Sequence, residues 1–517
     1  MTDPVVPSRG SDVQNGRSTS NHQTKSSYRS GFAQILVALI QSCLIFDHGL
    51  EMGIPILVIG VLHRNSSEAL NMNDDQASWF GSILNIVHPV ASLTSGFFQE
   101  KFGRKGSMIS TTIPLFGAWM TLYFAQSVYA LYAVVLIFGL CRGLTEAPLH
   151  AYTGEIGEPL LRGTMSTISV SAAIIGASVV FALNYFFNWR SVALICSAFP
   201  IVTFAFLTQI PESPTWLISK NRLDDAMKSL CWLRGWVEPK KVETEFQNLV
   251  NYVRNSTEQN ESSSNGSDQT KKDGFFAKGT RYLATNYKIM TSRKVLRPLR
   301  LVFIVVVVSL TAFLAGIRPY FIREIQELKS PIDARLILVS STGSLFIGAI
   351  MNVAFLRRFG KRKIALFSHA VAACCIFGMG AYSSFLRDAG SYVQLRWIPI
   401  IFWLLLNVVC GLSISVLPWQ LVCEVFPVAG RGLAVGISAA WAHVVMGMMV
   451  KFYIYTEAWL GFSWMMYLHA AGTLIGLTYY YFYFPETEGK SLEQIEQYFA
   501  GNYNREENNS VDRRMKY

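Results

Sequence analysis

The segment Phe138–Gly163, FGLCRGLTEAPLHAYTGEIGEPLLRG, begins inside a long apolar run and ends in a short charged loop. Its apolar part contains Arg142, Glu146 and His150 at positions i, i+4 and i+8, which share one face of a helix. A charged side chain at membrane depth costs about 2.5–3.5 kcal/mol, so such side chains normally face a cavity or a partner. The segment therefore predicts a membrane-spanning helix that carries part of a polar site.

Composition places the whole chain among helical membrane proteins. Of its 517 residues, 51% are hydrophobic and 15% are charged, and apolar runs of about 20 residues recur from end to end. The net charge of +11 comes from basic residues in the short links between those runs, a positive-inside distribution that argues against nucleic acid as a partner. Because the sequence shows no nucleophile elbow, phosphate loop or metal-ligand spacing, we expect no enzyme activity, no cofactor and no metal.

The apolar runs predict an all-α membrane protein with twelve transmembrane helices, arranged as two six-helix halves. We expect these spans at about 32–62, 77–99, 107–124, 131–153, 165–187, 192–210, 299–321, 334–356, 364–385, 397–422, 433–455 and 464–484.

Polar segments divide the chain around these spans. We predict a disordered tail at 1–28, a first bundle at 29–212, a second bundle at 297–484 and a second tail at 485–517. The segment 213–296 is predicted to form linker helices with a disordered, low-complexity insert at about 255–274.

The charge of the loops orients the spans. The loop Lys101–Lys105 is basic, whereas Asp74 and Asp75, one span earlier, are acidic. Basic loops stay in the cytoplasm, so both tails and the linker are expected there. The glycosylation sequon at Asn65 then lies outside and fits the secretory route, and we expect a multi-pass protein of the plasma membrane.

The two halves repeat each other in their charged loops. FGRK at 102–105 returns as FGKR at 359–362, and a Pro-Glu pair closes each half at 211–212 and 485–486. Glu155 and Arg162, seven residues apart, return as Glu424 and Arg431 at the same interval. Two six-span halves joined by a cytoplasmic linker are the parallel-repeat plan of major facilitator transporters.

These motifs resemble the sugar porter family of the major facilitator superfamily. Insect facilitated trehalose and glucose transporter-like members are the most similar, through ESPTWLISKNRLDDAMKSLCWLRG at Glu212–Gly235. The resemblance extends over about residues 32–499 and implies a monomer in the lipid bilayer that moves a small solute by alternating access. It implies a hexose or disaccharide as substrate, with facilitated or proton-coupled transport.

The resemblance also implies a cytoplasmic gate. In the family, charged loop residues form a network that locks the outward-open state, and the matching positions here are Glu100, Arg104, Glu155, Arg162, Arg358, Lys361, Glu424 and Arg431. Carboxylates and guanidiniums at the ends of adjacent helices can pair across the halves, and those pairs must break when the halves rock. The alternative is that these charges only set the topology.

The expected substrate site departs from the family pattern. Trp419 matches a family tryptophan, but positions that carry amides in sugar porters are Val170, Ala312 and Phe313 here. Compared with the family pattern, charged and aromatic side chains stand in the spans around these positions. The candidate substrate-binding residues are therefore Trp419, Arg318, Arg142, His443 and Glu146. A guanidinium favours a carboxylate or phosphate over a neutral hydroxyl, so an organic anion remains an alternative substrate.

Asp47 matches the first-span aspartate of proton-coupled sugar porters. Together with Arg142 it is the candidate proton-coupling site, since an arginine beside an aspartate could be released to switch its protonation. A local Arg142–Glu146 bridge is the alternative role for that arginine. A sensor that binds solute without transporting it is the second functional class, and its feature would be the insert at 255–274.

Overall fold

A computed structural model describes residues 28–63, 70–157, 162–262, 293–328, 330–386, 393–426, 431–488 and 492–500. Within these ranges the secondary structure is helical, apart from one isolated bridge between His63 and Met72. The described part of the chain is therefore all-α, as the apolar runs predicted.

The first half supplies six spans, the sixth of which is interrupted at Ser197. Its helices are α1 (Tyr28–Leu62), α2 (Asp74–Phe102), α3 (Arg104–Phe124), α4 (Val128–Ile156), α5 (Arg162–Phe186), α6 (Trp189–Cys196) and α7 (Ala198–Gln209).

Three linker helices follow: α8 (Pro214–Ser219), α9 (Leu223–Leu233) and α10 (Pro239–Ser262). They share a small hydrophobic core, to which α10 contributes Val242, Phe246 and Val250 at helical spacing. Because this buried face anchors α10, the helix continues to Ser262 and includes the first part of the segment 255–274 for which we expected disorder. The rest of that segment lies outside the described residues, as do residues 1–27 and 501–517.

The second half supplies the other six spans. Its helices are α11 (Arg293–Ala312), α12 (Phe321–Glu327), α13 (Ala334–Phe359), α14 (Lys361–Ala381), α15 (Ile398–Val409), α16 (Leu417–Glu424), α17 (Arg431–Leu460) and α18 (Phe462–Tyr483), followed by α19 (Leu492–Ala500) in the tail. A π-helical turn, Cys410–Ile414, joins α15 to α16 within one span.

Among the described residues, eight helical segments are long and apolar enough to cross a membrane. The other four spans are α2, α3, α5 and α18, which have 29, 21, 25 and 22 residues. At a rise of about 1.5 Å per residue, each is also long enough to cross a bilayer core of about 30 Å. The structure thus agrees with the prediction of twelve spans.

Glycines set the distance between the helices that carry the polar site. A Cβ at Gly139 would lie 2.7 Å from the carbonyl oxygen of Leu84, and one at Gly143 would lie 2.5 Å from that of His88. Small residues let membrane helices approach this closely, which is the main source of packing energy between them. The contact between α2 and α4 therefore places His88 beside Glu146.

The two halves meet where α2 packs along α17. We call the end of the bundle where α2 begins the Asp75 end, and the opposite end, where α3 begins, the Arg104 end. A Cβ at Gly81 would lie 3.0 Å from the Val450 side chain, and one at Gly447 would lie 3.0 Å from Ile86. The contact thus runs from the Asp75 end toward the middle of the bundle.

Candidate functional site

Each half has the same carboxylate-capped loop at the Arg104 end. Gly103 (φ +84°) precedes α3 and Gly360 (φ +78°) precedes α14, a backbone conformation that only glycine adopts without strain. The Glu212 carboxylate accepts hydrogen bonds from the first backbone N–H groups of α3 at 3.0 and 3.1 Å. Glu486 does the same for α14 at 3.0 Å. An anion at a helix N-terminus satisfies free N–H groups, so the Pro-Glu pairs stabilise the repeated loops.

Four of the eight predicted gate residues form ion pairs in these loops. Arg104 Nη2 lies 2.7 Å from Glu155 Oε1, and its Nε lies 3.2 Å from Oε2, a bidentate pair that the Ser213 hydroxyl also joins. Lys361 Nζ lies 2.5 Å and 2.6 Å from the two oxygens of Glu424. Each pair joins residues of one half, so in this conformation the described gate pairs do not cross between halves.

The other gate residues are not part of these pairs. Glu100 and Arg358 are exposed, and neither forms an ion pair with a described residue. The side chains of Arg162 and Arg431 lie outside the part of the chain that the structure describes. Asn65 does as well, so its glycosylation stays a prediction.

A cluster of polar and aromatic side chains lies where α2, α4 and α17 meet. His88 Nε2 is 3.0 Å from Glu146 Oε2, to which the Ser92 hydroxyl also donates at 2.8 Å. The rings of His88 and His443 have centroids 3.8 Å apart, and the Trp419 ring lies 6.4 Å from that of His443. We call His88, Glu146 and His443 the central triad; it joins the two halves at mid-helix.

Arg142 neighbours both histidines of the central triad but does not form the predicted pairs. The carboxylates that interact with Arg142 are those of Glu51 and Glu146, although neither lies within 4 Å as an ion pair, so both the Asp47–Arg142 pair and the Arg142–Glu146 bridge stay predictions. The Glu146 carboxylate is instead held by His88 and Ser92 across the α2–α4 contact. Both Asp47 oxygens are buried near Glu51 and the Thr203 hydroxyl, and no described group meets hydrogen-bond geometry with either oxygen.

Arg318 has partners within its own half. Its Nε donates to the Phe313 carbonyl at 3.1 Å, and its Nη2 donates to Asn407 Oδ1 at 3.1 Å. The guanidinium also lies 3.5 Å from the centre of the Phe313 ring. The sequence predicted that Arg318 binds the substrate. The structure places its guanidinium against Phe313 and Asn407, and not among the central triad.

A second set of polar contacts fixes α1 against α4. His48 Nδ1 lies 3.1 Å from Glu51 Oε1, and its Nε2 lies 2.8 Å from Thr145 Oγ1. Glu51 is fully buried, and its second oxygen has no partner among the described residues. The first span therefore presents buried acids, Asp47 and Glu51, near the helix that carries Glu146.

At the Asp75 end an ion pair joins the halves directly. Lys451 Nζ of α17 lies 2.8 Å from Asp75 Oδ1 and donates to the Ser78 hydroxyl at 2.8 Å. The Tyr455 hydroxyl donates to the same aspartate at 2.6 Å. These hydrogen bonds, that of Lys451 first, lower the pKa of Asp75.

Sequence reasoning gave no role to His88 and Lys451, which both join the halves. One sign of this role is visible in the sequence: each is a lone polar residue in an apolar span. Their partners come from helices distant in the chain, 58 residues away for the contact of His88 with Glu146 and 376 for that of Lys451 with Asp75. No spacing along one helix predicts such a pair.

The chain is similar to known proteins over most of its length. The sequence profile of the family described as "Sugar (and other) transporter" matches residues 34–499. The protein named facilitated trehalose transporter Tret1 from Polypedilum vanderplanki is 24% identical over 480 residues, which cover 92% of this chain and 89% of that protein. Its namesake from Anopheles gambiae is 24% identical over 467 residues, which cover 88% of this chain and 56% of that protein.

Solved structures show the same fold. The xylose transporter XylE from E. coli, in a partially occluded inward open conformation, matches with a TM-score of 0.65 and 17% sequence identity. The match covers 89% of this chain and 99% of that one. This likeness confirms the prediction of a twelve-helix major facilitator fold.

Proposed function

Since this chain belongs to the sugar (and other) transporter family, and is thus a multi-pass membrane transporter and not an enzyme, we propose that it carries a hexose or disaccharide by alternating access. One observation carries the proposal: polar and aromatic side chains from both halves converge at mid-helix. Trp419 and His443 come from the second half, and Glu146 and His88 from the first. The names of the relatives, trehalose and xylose transporters, point to the same substrate class.

The chemistry of the cluster fits a neutral polyol. Sugar hydroxyls need both donors and acceptors, which the imidazoles and the carboxylate supply, and the 42%-exposed Trp419 offers an apolar surface for the ring face. The Glu146 carboxylate repels an anion, and Arg318 is held by Asn407 and the Phe313 carbonyl. We therefore assign substrate contact to Trp419, His443, Glu146 and Arg142.

We propose that the Arg104 end is cytoplasmic and the Asp75 end external, in the plasma membrane, with the protein working as a monomer. The clustering of lysines and arginines in the loops at 101–105 and 357–363 supports this orientation. In the described conformation the halves then touch on the external side. Return to the outward-open state would break the contact of Lys451 with Asp75 and bring the two gate networks together.

We propose Asp47 as the site of proton coupling, should transport depend on a proton gradient. Its two oxygens are buried with no hydrogen-bond partner among the described residues, so protonation would relieve an uncompensated charge. The proposed role does not require a direct pair with Arg142.

The test is uptake by the purified full-length protein in liposomes, with radiolabelled trehalose, glucose, xylose and a dicarboxylate, each with and without a pH gradient. We expect saturable uptake of at least one sugar and none of the dicarboxylate. Trp419→Ala should raise the KM for that sugar, while Trp464→Ala, an exposed tryptophan of α18, serves as the matched control. Uptake of the dicarboxylate alone would overturn the sugar assignment, and solute binding without any flux would favour a sensor.

A further inference from the structure

We infer that the central triad of His88, Glu146 and His443 is a binding site for Zn²⁺ that ties the two halves together. Each residue offers one ligand atom, and these atoms all lie within 4.8 Å of one another. His88 and Glu146 come from α2 and α4 of the first half, and His443 comes from α17 of the second. Two imidazoles and a carboxylate are the ligand set of many three-residue zinc sites.

The separations of the ligand atoms approach those of a bound metal, but the rings of His88 and His443, with centroids 3.8 Å apart, must turn away from each other before both direct a nitrogen lone pair at one ion. With Zn–N and Zn–O bonds of about 2.0–2.2 Å, two ligands of a tetrahedral ion lie about 3.3 Å apart. The His88–Glu146 contact is already 3.0 Å, so it would open by a few tenths of an ångström. His443 would close the remaining separation of about 1.5 Å at most, the difference between 4.8 and 3.3 Å, by rotation of its side chain.

Unsatisfied nitrogen atoms give the site an independent signature. His88 and His443 are 2% and 7% exposed, and the Nδ1 atom of each is buried without a hydrogen-bond partner among the described residues. Most buried polar atoms in proteins have a partner, so the free Nδ1 of His443 calls for a ligand. His88 faces Glu146 with its Nε2, so zinc bound to that nitrogen replaces this hydrogen bond and leaves the Nδ1 of His88 unpaired.

The surrounding charges set which metal binds and how tightly. Arg142 neighbours both imidazoles and opposes any cation, so we expect micromolar rather than nanomolar binding. Imidazole and carboxylate ligands suit Zn²⁺ and similar transition metals, whereas Mg²⁺ and Ca²⁺ require mostly oxygen ligands. The fourth position is left to water.

A metal ion bound by residues of both halves would affect transport. The halves touch from the Asp75 end as far as the His88–His443 contact, and a Cβ at Gly96 or Gly436, farther toward the Arg104 end, would meet no atom of the described residues within 4 Å. An ion bound at the central triad would hold α2 and α17 at that level. If transport proceeds by the rocking proposed above, on which this consequence rests, Zn²⁺ stops the cycle.

The test is Zn²⁺ titration of the purified, untagged full-length protein in detergent by calorimetry, with Mg²⁺ as the control ion. We expect one saturable Zn²⁺ site, weakened at least tenfold in His443→Gln and His88→Gln. His150→Gln is the matched control, because His150 is exposed on α4 and outside the triad. Thermal unfolding without metal establishes that each variant is folded, and Glu146→Gln replaces any variant that is not.

Two results would overturn the inference: no saturable Zn²⁺ binding by the wild type, or equal affinity in the wild type and all triad variants. Zn²⁺ should also raise the unfolding temperature of the wild type, since an ion that binds only the folded state stabilises it. This outcome is separable from the proposed function. A chain that transports sugar without binding Zn²⁺ refutes only the metal site, and one that binds Zn²⁺ without sugar flux refutes only the carrier.

Discussion

Replacing Gly143 by alanine is expected to push α4 away from α2 and so disturb the contact of His88 with Glu146. The added Cβ would lie 2.5 Å from the carbonyl oxygen of His88, 2.6 Å from the Ala91 Cβ and 2.8 Å from the Ser92 nitrogen. Two of these three atoms belong to the backbone of α2 and cannot be moved by a change of rotamer. The helices themselves must separate.

The size of the effect follows from two opposing terms. Overpacking of a close contact costs about 1–3 kcal/mol, whereas alanine in place of glycine within a helix contributes up to about 1 kcal/mol of stability. Gly154→Ala is the matched control, because Gly154 lies in the same helix and its Cβ would meet no atom within 4 Å. Both substitutions add helix propensity, but less of it at Gly154 in the last turn of α4, so their difference is a lower bound on the overpacking cost of about 1–3 kcal/mol.

Reversible unfolding in a denaturing detergent, followed by circular dichroism, measures that difference. Gly143→Ala should be the less stable variant, and its sugar uptake should show a raised KM because Glu146 moves with α4. If Gly143→Ala proves as stable as Gly154→Ala, the close approach of the two helices does not position the central triad, and the reasoning fails.

Three further predictions concern the charged groups. Arg104→Ala leaves Glu155 without its bidentate partner. The free energy of unfolding should fall by about 2 kcal/mol in the same assay, a value between those for exposed and buried ion pairs. An unchanged unfolding midpoint would show that this charge only sets topology. The hydrogen bond from Lys451 lowers the pKa of Asp75 in the folded protein. The ion pair therefore stabilises the fold at pH values above the ordinary aspartate pKa of about 3.9, and this stabilisation is lost as the pH falls through the lower pKa of the folded state. Spin-label distances between α2 and α17 should therefore lengthen only as the pH falls below the ordinary aspartate pKa in the wild type, and Asp75→Asn should show no such step. Asp47→Asn should abolish the dependence of uptake on a pH gradient, and a retained dependence places coupling elsewhere.

The residues of the Arg104–Glu155 and Lys361–Glu424 pairs, but not their pairing, could be identified from sequence because the repeat aligns them. A basic residue two positions after the phenylalanine of each loop and an acid at the end of the second span after that loop recur in both halves. Equal spacing in two copies of one fold implies equal position, so the repeat predicted that these charges lie at one end of the bundle, whereas the pairing expected across the halves occurs within each half in this conformation. The apolar runs predicted the twelve spans for the same reason, since each span is a local property of the chain.

The partner of Glu146 could not be predicted in this way. Helical spacing made Arg142 the nearest charged residue, but spacing describes one helix alone. Gly139 and Gly143 allow α2 to approach α4 closely. Glu146 therefore accepts hydrogen bonds from His88 and Ser92, which belong to another span.

α2 takes part in two different kinds of contact, and their difference bears on how the site works. Toward α4 it packs against glycines, with backbone atoms in near contact, an arrangement that leaves no room for sliding. Toward α17 it also packs at glycines, Gly81 and Gly447, but there polar side chains join the helices as well, a lysine and an aspartate at one end and two imidazole rings in the middle. When the halves rock, the first contact should persist and the second must change. Glu146 then keeps its hydrogen bond from His88 through the cycle, and His443 is the member of the central triad that arrives and departs.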